Sequence, residues 1–182
     1  DFKFGNDRRG DFASLKKVGS KNNFPVHNMY TLDFQAERVS STRIRKSLAL
    51  GEFQLAEKLL GHPFSISGKV IYGRQLGRTI GIPTANIQLH RYVAPISGVF
   101  ACKVFVNAEF FFGVANVGVR PTVDNANFTP ILEVHLLNFN RMIYGEFAKV
   151  VFLEKLRDEK KHESISALKS AINRDINDAK KF

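Results

Sequence analysis

From residue 63 onward the apolar positions fall into short runs of β type, at 64–72, 99–106, 110–117, 131–137 and 147–153, separated by Gly, Pro and Asn. Five or six strands are predicted. Strands spaced by turn residues without intervening helices argue for an antiparallel barrel or sandwich rather than a parallel α/β sheet. The last stretch changes period. Ile165, Leu168, Ile172, Ile176 and Ala179 step by three or four residues, and Ser164 can cap the start, which predicts an amphipathic helix laid on the sheet. Before residue 63 the pattern is less regular. A polar loop through Gly10 and Asp11 and an apolar stretch at 24–30 precede two short helices. The helices are signalled by Ser40-Ser41-Thr42 as N-cap residues, by Ile44, Leu48, Phe53, Leu55, Ala56, Leu59 and Leu60 at helical spacing, and by an interruption at Gly51. Gly61-His62-Pro63 supplies a C-cap glycine and then a proline, so the domain break is placed there, giving segments 1–61 and 62–182.

Length allows one complete domain and a smaller piece within the 182 residues. An apolar fraction of 44% is too high for a disordered chain. The 27 Lys and Arg against 17 Asp and Glu leave a net charge of +10, which asks for an anionic partner: nucleic acid, lipid headgroups or nucleotide phosphates. The lone Cys102 excludes an intramolecular disulfide and a Cys-rich zinc module, and fits a reducing, cytoplasmic setting. No uncharged apolar run approaches the roughly 18 residues of a membrane helix, so the chain is expected to be soluble with no membrane partner. It starts at Asp1 within a stretch that reads as mid-protein sequence, from which the expectation is that something upstream has been removed.

Chemistry concentrates first in 68–86. Gly68, Gly73, Gly77 and Gly81, interleaved with Lys69, Arg74 and Arg78, would let backbone N–H groups approach an anion that the cations neutralise, as a polyphosphate requires. A glycine-rich barrel corner with solvated charges has the same composition. Neither a P-loop nor a Rossmann fingerprint is present, because Gly73 is followed by Arg-Gln and no βαβ unit surrounds the glycines. Next, Thr84 and Asn86 in Pro83-Thr-Ala-Asn86 present a hydroxyl and an amide oxygen two residues apart. They suit Mg²⁺ if phosphates supply the negative charge, or they bond their own backbone in a proline-initiated turn.

Third, the two-residue period of 131–137 puts Glu133 and His135 on one face and Leu132, Val134 and Leu136 on the other. A carboxylate there is either solvated on an outer sheet face or a general base at a cavity. His135 reads as a hydrogen-bonded neighbour rather than a catalyst. Last, Ser41, Thr42, Arg43 and Arg45 sit at a helix N-terminus, where free N–H groups and the helix dipole favour phosphate, although an ordinary cap with exposed basic residues accounts for them too.

Taken together, 77–86, Gly113-Val-Ala-Asn-Val-Gly118 with Arg120-Pro-Thr122, Leu132-Glu-Val-His135, Tyr144-Gly145 and Leu156-Arg-Asp-Glu159 resemble, in order and spacing, the riboflavin kinase module of bacterial bifunctional riboflavin kinase/FAD synthetases. The resemblance covers 63–182. Residues 1–5, 8–11 and 39–45 are similar to late motifs of the same enzymes' adenylyltransferase domain, whose early His-x-Gly-His signature does not occur in this sequence. His162 departs from the aromatic residue common after the Leu-Arg-x-Glu motif.

The resemblance implies a mainly-β fold: a six-stranded antiparallel riboflavin-kinase-type barrel with a C-terminal helix, preceded by a partial α/β nucleotidyltransferase remnant. It implies transfer of the ATP γ-phosphate to the ribityl 5′-hydroxyl of riboflavin, giving FMN and ADP. Glu133 would accept the hydroxyl proton, Thr84 and Asn86 would hold Mg²⁺, and Gly68, Lys69, Gly73, Gly77, Arg78 and Gly81 would wrap ATP. Arg157 would close over the flavin side, with Val150 and Leu153 in the apolar wall against the isoalloxazine or in the structural core. Ser41, Thr42, Arg43 and Arg45 would be the phosphate-binding residues of the remnant. FAD synthesis would need the region missing upstream. The competing reading is a basic β-barrel that binds nucleic acid. Against it, the aromatics cluster in runs such as Phe110 to Phe112, and Glu133 has no role in holding a polyanion.

Overall fold

Alternating burial along the predicted runs closes them into a barrel. In the computed structural model, which describes residues 2–73, 75–89, 94–121 and 128–182, the chain divides into two compact units, Asp1–Val39 and Ser40–Phe182. Arg74 and Thr122 lie outside the described residues.

In the first unit, β1 (Lys3–Phe4) pairs with β2 (Gly10–Asp11), α1 (Phe12–Lys21) follows, and β3 (Asp33–Phe34) pairs with β4 (Glu37–Arg38). Helix α1 was not foreseen. It is nucleated by Asp11, whose carboxylate accepts a 2.9 Å hydrogen bond from the Ser14 amide. Phe12, Leu15 and Val18 repeat only every third residue over three turns, too short a stripe to stand out in the sequence.

The second unit opens with α2 (Ser41–Leu50) and α3 (Phe53–Leu60). Ser40 caps α2 by accepting a 3.2 Å bond from the Arg43 amide, and Gly51 and Gly61 end the two helices in the left-handed region at φ 79° and 77°. The barrel follows: β5 (Ser65–Ile71), β6 (Ala85–Ile87), β7 (Gly98–Val106), β8 (Glu109–Pro121), β9 (Phe128–Leu136) and β10 (Phe147–Arg157), with a short helical turn α4 (Leu76–Thr79) between β5 and β6. The strands close in the order β10-β5-β6-β9-β8-β7, every pair antiparallel, which is the six-stranded closure expected. Ala85–Ile87 completes the sixth strand. Three residues are too few for a two-residue period to register, so the segment read as a turn.

Leu132, Val134 and Leu136 point inward, with Ala115, Val117, Phe100, Phe152 and Val150. Helix α3 adds to this interior. Phe53 stacks on Phe152 at 6.0 Å and meets Phe100 edge-on at 5.6 Å, and Leu48 and Ala56 are buried in the same cluster. Gly61 closes α3, and α2 and α3 lie in the same compact unit as the barrel, which begins at Ser40. Helix α5 (Ile165–Ala179) is capped by Ser164, which accepts a 3.1 Å bond from the Ala167 amide. It packs Ile176 and Ala179 against Val99, Ala101 and Val114 on the outer wall. Cys102 is buried in the interior, where loss of water pushes its thiol pKa far up and leaves it inert. Among the described residues, no helix is long and apolar enough to cross a membrane.

Candidate active site

Antiparallel register lines up a polar row across the outside of the barrel. Asn86 on β6 pairs with Glu133 on β9, Glu133 with Asn116 on β8, Asn116 with Val99 on β7, and Val99 with Arg157 on β10. The neighbours of these residues along each strand, such as Ala85, Ile87, Leu132, Val134, Ala115 and Val117, are buried inside, so pleating turns the row outward.

Over the part of this row from Glu133 to Arg157 lies a cavity of about 350 Å³, roofed by the 75–82 segment and α5. Glu133, His135, Asn116, Thr84, Gly77 and Arg157 line it together with an apolar wall of Val99, Val114, Leu168 and Ile172. A second cavity of about 190 Å³ lies beside it, lined by Arg78, Pro83, Thr84, Phe139, Arg141 and Tyr144, among others. Thr84 borders both, and Asn86 lines neither. A long substrate in one cavity and a second substrate in the other would therefore meet at Thr84.

The glycines divide by task. At Gly77 an added Cβ would stand 2.2 Å from the Ile82 carbonyl oxygen, and at Gly73 it would stand 2.2 Å from the Asn86 amide nitrogen, so both positions need the bare backbone for the segment to fold over the site. Gly81 turns the chain at φ 80°. Gly68 and Lys69 instead belong to β5. Gly68 is buried where Gln88 crosses close by, Lys69 is exposed, and neither lines either of these two cavities.

Arg157 reaches the cavity already committed. Its Nε and Nη2 donate to the Asp175 carboxylate at 2.9 and 2.7 Å, and Nη1 donates to the Asp158 carbonyl at 3.1 Å. This fork ties the end of β10 to α5, and Asp175 is 4% exposed. Arg157 thus lines the cavity while its pairing with Asp175 holds the cavity's helical wall. Val150 is sealed inside the barrel, and Leu153 packs with Leu156 and Ile176 beside Val99; neither lines either of the two cavities. Ser41, Thr42, Arg43 and Arg45 occupy the first turns of α2 and line neither of the two cavities.

Residue-type reasoning passed over Asn116, Glu159 and Asp175. Asn116 Nδ2 lies 3.5 Å from Glu159 Oε1, while its Oδ1 is buried and makes no hydrogen bond among the described residues. A buried, unsatisfied carbonyl beside a cavity is the kind of group a ligand completes. Glu159 itself rests over Gly118, where a Cβ would come 2.2 Å from its carboxylate oxygen. His162, the departure from the family pattern, also lines the larger cavity.

The riboflavin kinase family model matches residues 60–182. The chain belongs to the riboflavin kinase family. Among similar proteins, the bifunctional riboflavin kinase/FMN adenylyltransferase of Haemophilus influenzae is 49% identical over all of this chain and 59% of its own length. The Escherichia coli K12 protein of the same description is 45% identical over all of this chain and 58% of its own length. The chain thus spans somewhat more than half the length of these curated relatives. A crystal structure described as a macrolide-efflux protein from Streptococcus pneumoniae superposes on all of this chain and 58% of that chain, with a TM-score of 0.80 at 32% identity. Nothing in these likenesses supports the nucleic-acid-binding reading.

Proposed function

We propose that this riboflavin kinase family member transfers the γ-phosphoryl group of ATP to the 5′-hydroxyl of riboflavin, releasing FMN, ADP and a proton. One observation carries the reading: Glu133 lies in a large, partly apolar cavity that shares Thr84 with a second cavity, so an alcohol and a phosphate donor can meet between a carboxylate and a hydroxyl. The isoalloxazine would lie against Val99, Val114, Leu168 and Ile172, with the ribityl chain running towards Glu133. Val150 and Leu153 would support that wall from behind, and Arg157 would fix it through Asp175. The nucleotide would occupy the second cavity beside Arg78, at the edge of the segment folded by Gly73, Gly77 and Gly81, with Gly68 and Lys69 serving its β5 flank.

Glu133 would accept the hydroxyl proton as the oxygen attacks, and the bound geometry would supply most of the rate by alignment. Thr84 and Asn86 would hold Mg²⁺. The fit is chemical: two neutral oxygen donors, with Asn86 in register beside the Glu133 carboxylate, leave room for phosphate oxygens to complete a hard-cation shell. The metal would neutralise charge on the transferring phosphoryl group.

Residues 1–61 are read as the end of an adenylyltransferase domain, with Ser41, Thr42, Arg43 and Arg45 as its phosphate-binding turn, and 62–182 as the kinase domain. Alignment of the whole chain with bifunctional relatives supports this division, as does a family match that begins at residue 60. The unpaired buried thiol is consistent with a cytoplasmic enzyme.

Incubation of the chain with riboflavin and MgATP, followed by chromatography, should yield FMN and ADP in equal amounts. ATP consumption without FMN would refute the assignment. Thr84→Ala and Asn86→Ala should raise the KM for MgATP by about tenfold or more, as an octahedral ion tolerates little loss of ligand geometry, while riboflavin affinity measured by fluorescence quenching holds. Equal losses for both substrates would make this turn scaffold.

A further inference from the structure

His135 sits two residues from Glu133 on the same outward face of β9 and lines the same cavity, but the chemistry above leaves it without a task. Its one hydrogen bond among those described is specific: Nδ1 lies 2.8 Å from the carbonyl oxygen of Pro83. A carbonyl oxygen can only accept, so Nδ1 carries the proton. That oxygen belongs to the peptide joining Pro83 to Thr84. Ala85 pairs with Val134 and Asn86 with Glu133, so one further step of the β6–β9 register sets Thr84 opposite His135. The three-residue strand β6 begins only at Ala85, and upstream lie the positive-φ turn at Gly81 and the four-residue α4. Few regular contacts hold Thr84 on that side.

Resting on the kinase reading, we propose that His135 is a positioning residue: it clamps the Pro83–Thr84 peptide through Nδ1–H, and so fixes the Thr84 hydroxyl between the two cavities for the metal-bound nucleotide. Hydrogen bonding to a peptide plane restrains the residue that follows it, which accounts for a histidine on a face shared with the acid–base residue although it takes no part in the proton transfer. The Pro83 carbonyl needs a donor at the position of Nδ1. An asparagine can supply one; a phenylalanine of similar shape cannot.

Three measurements on the 182-residue chain test this. In ¹⁵N-resolved NMR spectra at neutral pH, His135 should show Nδ1 protonated. By calorimetry, His135→Phe should weaken MgADP binding about tenfold, the scale of one lost hydrogen bond, with riboflavin affinity within about twofold of the parent, and His135→Asn should regain most of the loss. In steady state the Phe variant should show a larger change in KM for MgATP than for riboflavin. An Nδ1-unprotonated tautomer would overturn the proposal, as would parental MgADP affinity in the Phe variant, or equal weakening of both ligands in Phe and Asn variants alike. Absence of FMN formation by the parent chain would count against the kinase reading alone, since the NMR and MgADP results decide the role of His135 without turnover.

Discussion

Glu133→Gln is expected to lower riboflavin phosphorylation by roughly 10²–10⁴-fold while leaving the fold and nucleotide binding in place, the range for loss of a positioned general base. Neighbouring Leu132 and Val134 pack inside the barrel and hold the strand whichever residue stands at 133, so the substitution removes basicity without disturbing the wall. Glutamine keeps the shape and one oxygen. The loss should therefore fall on kcat, with riboflavin and MgATP affinities near parental values in binding assays. Parental turnover in the variant would make Glu133 a structural residue of a solvated face. A parallel collapse of melting temperature would move its role to stability.

The second large effect concerns the clamp between β10 and α5. Asp175→Ala leaves the Arg157 guanidinium, whose side chain is 29% exposed, without its carboxylate partner. Breaking a buried pair from one side costs about 3–5 kcal/mol, and the partial exposure of Arg157 favours the lower end. At about 2–4 °C per kcal/mol for a chain of this size, the melting temperature should drop by roughly 6–12 °C. Because α5 carries Leu168 and Ile172 of the cavity wall, riboflavin affinity should fall along with stability. Replacing both partners by apolar residues, Arg157→Met with Asp175→Leu, should recover most of the melting temperature, since no unpaired charge then remains buried. An unchanged melting curve for Asp175→Ala would show that the helix is held by its apolar face alone.

Local signals in the chain were enough for five of the six barrel strands, the N-cap of α2 and the break after it at Gly51, the C-cap of α3, the Ser164 cap of α5, and the opposition of Glu133 and His135 to Leu132, Val134 and Leu136. Each depends on chemistry within a few residues: a side-chain oxygen meeting an N–H three positions on, a glycine accepting positive φ, a two-residue period sorting one face from the other. The motifs around Thr84, Asn86 and Glu133 also marked the neighbourhood of the site, through resemblance to a family more than through spacing.

What the chain order could not supply was adjacency across strands. The row from Asn86 to Arg157 exists because five strands align in register, and no local pattern encodes a pairing between residues 86 and 133 or between 116 and 133. Val150, Val151 and Phe152 are all buried, and the β10 register shifts just beyond them, so alternation held no information about which way Val150 faces. The pairing of Arg157 with Asp175 left no mark in the sequence, because the partner lies on a helix that must first dock. The packing of α2 and α3 on the barrel rests on contacts distant in sequence, Phe53 with Phe100 and Phe152 and Leu48 in the same buried cluster. Sequence by itself determined most of the elements, since these rest on short-range hydrogen bonding and periodicity, and it marked the neighbourhood of the site through resemblance to a family. Tertiary structure alone decided which polar groups share a cavity, which arginine is already spent on a carboxylate and which histidine holds the peptide before Thr84, because each depends on long-range register and on burial that removes competing water.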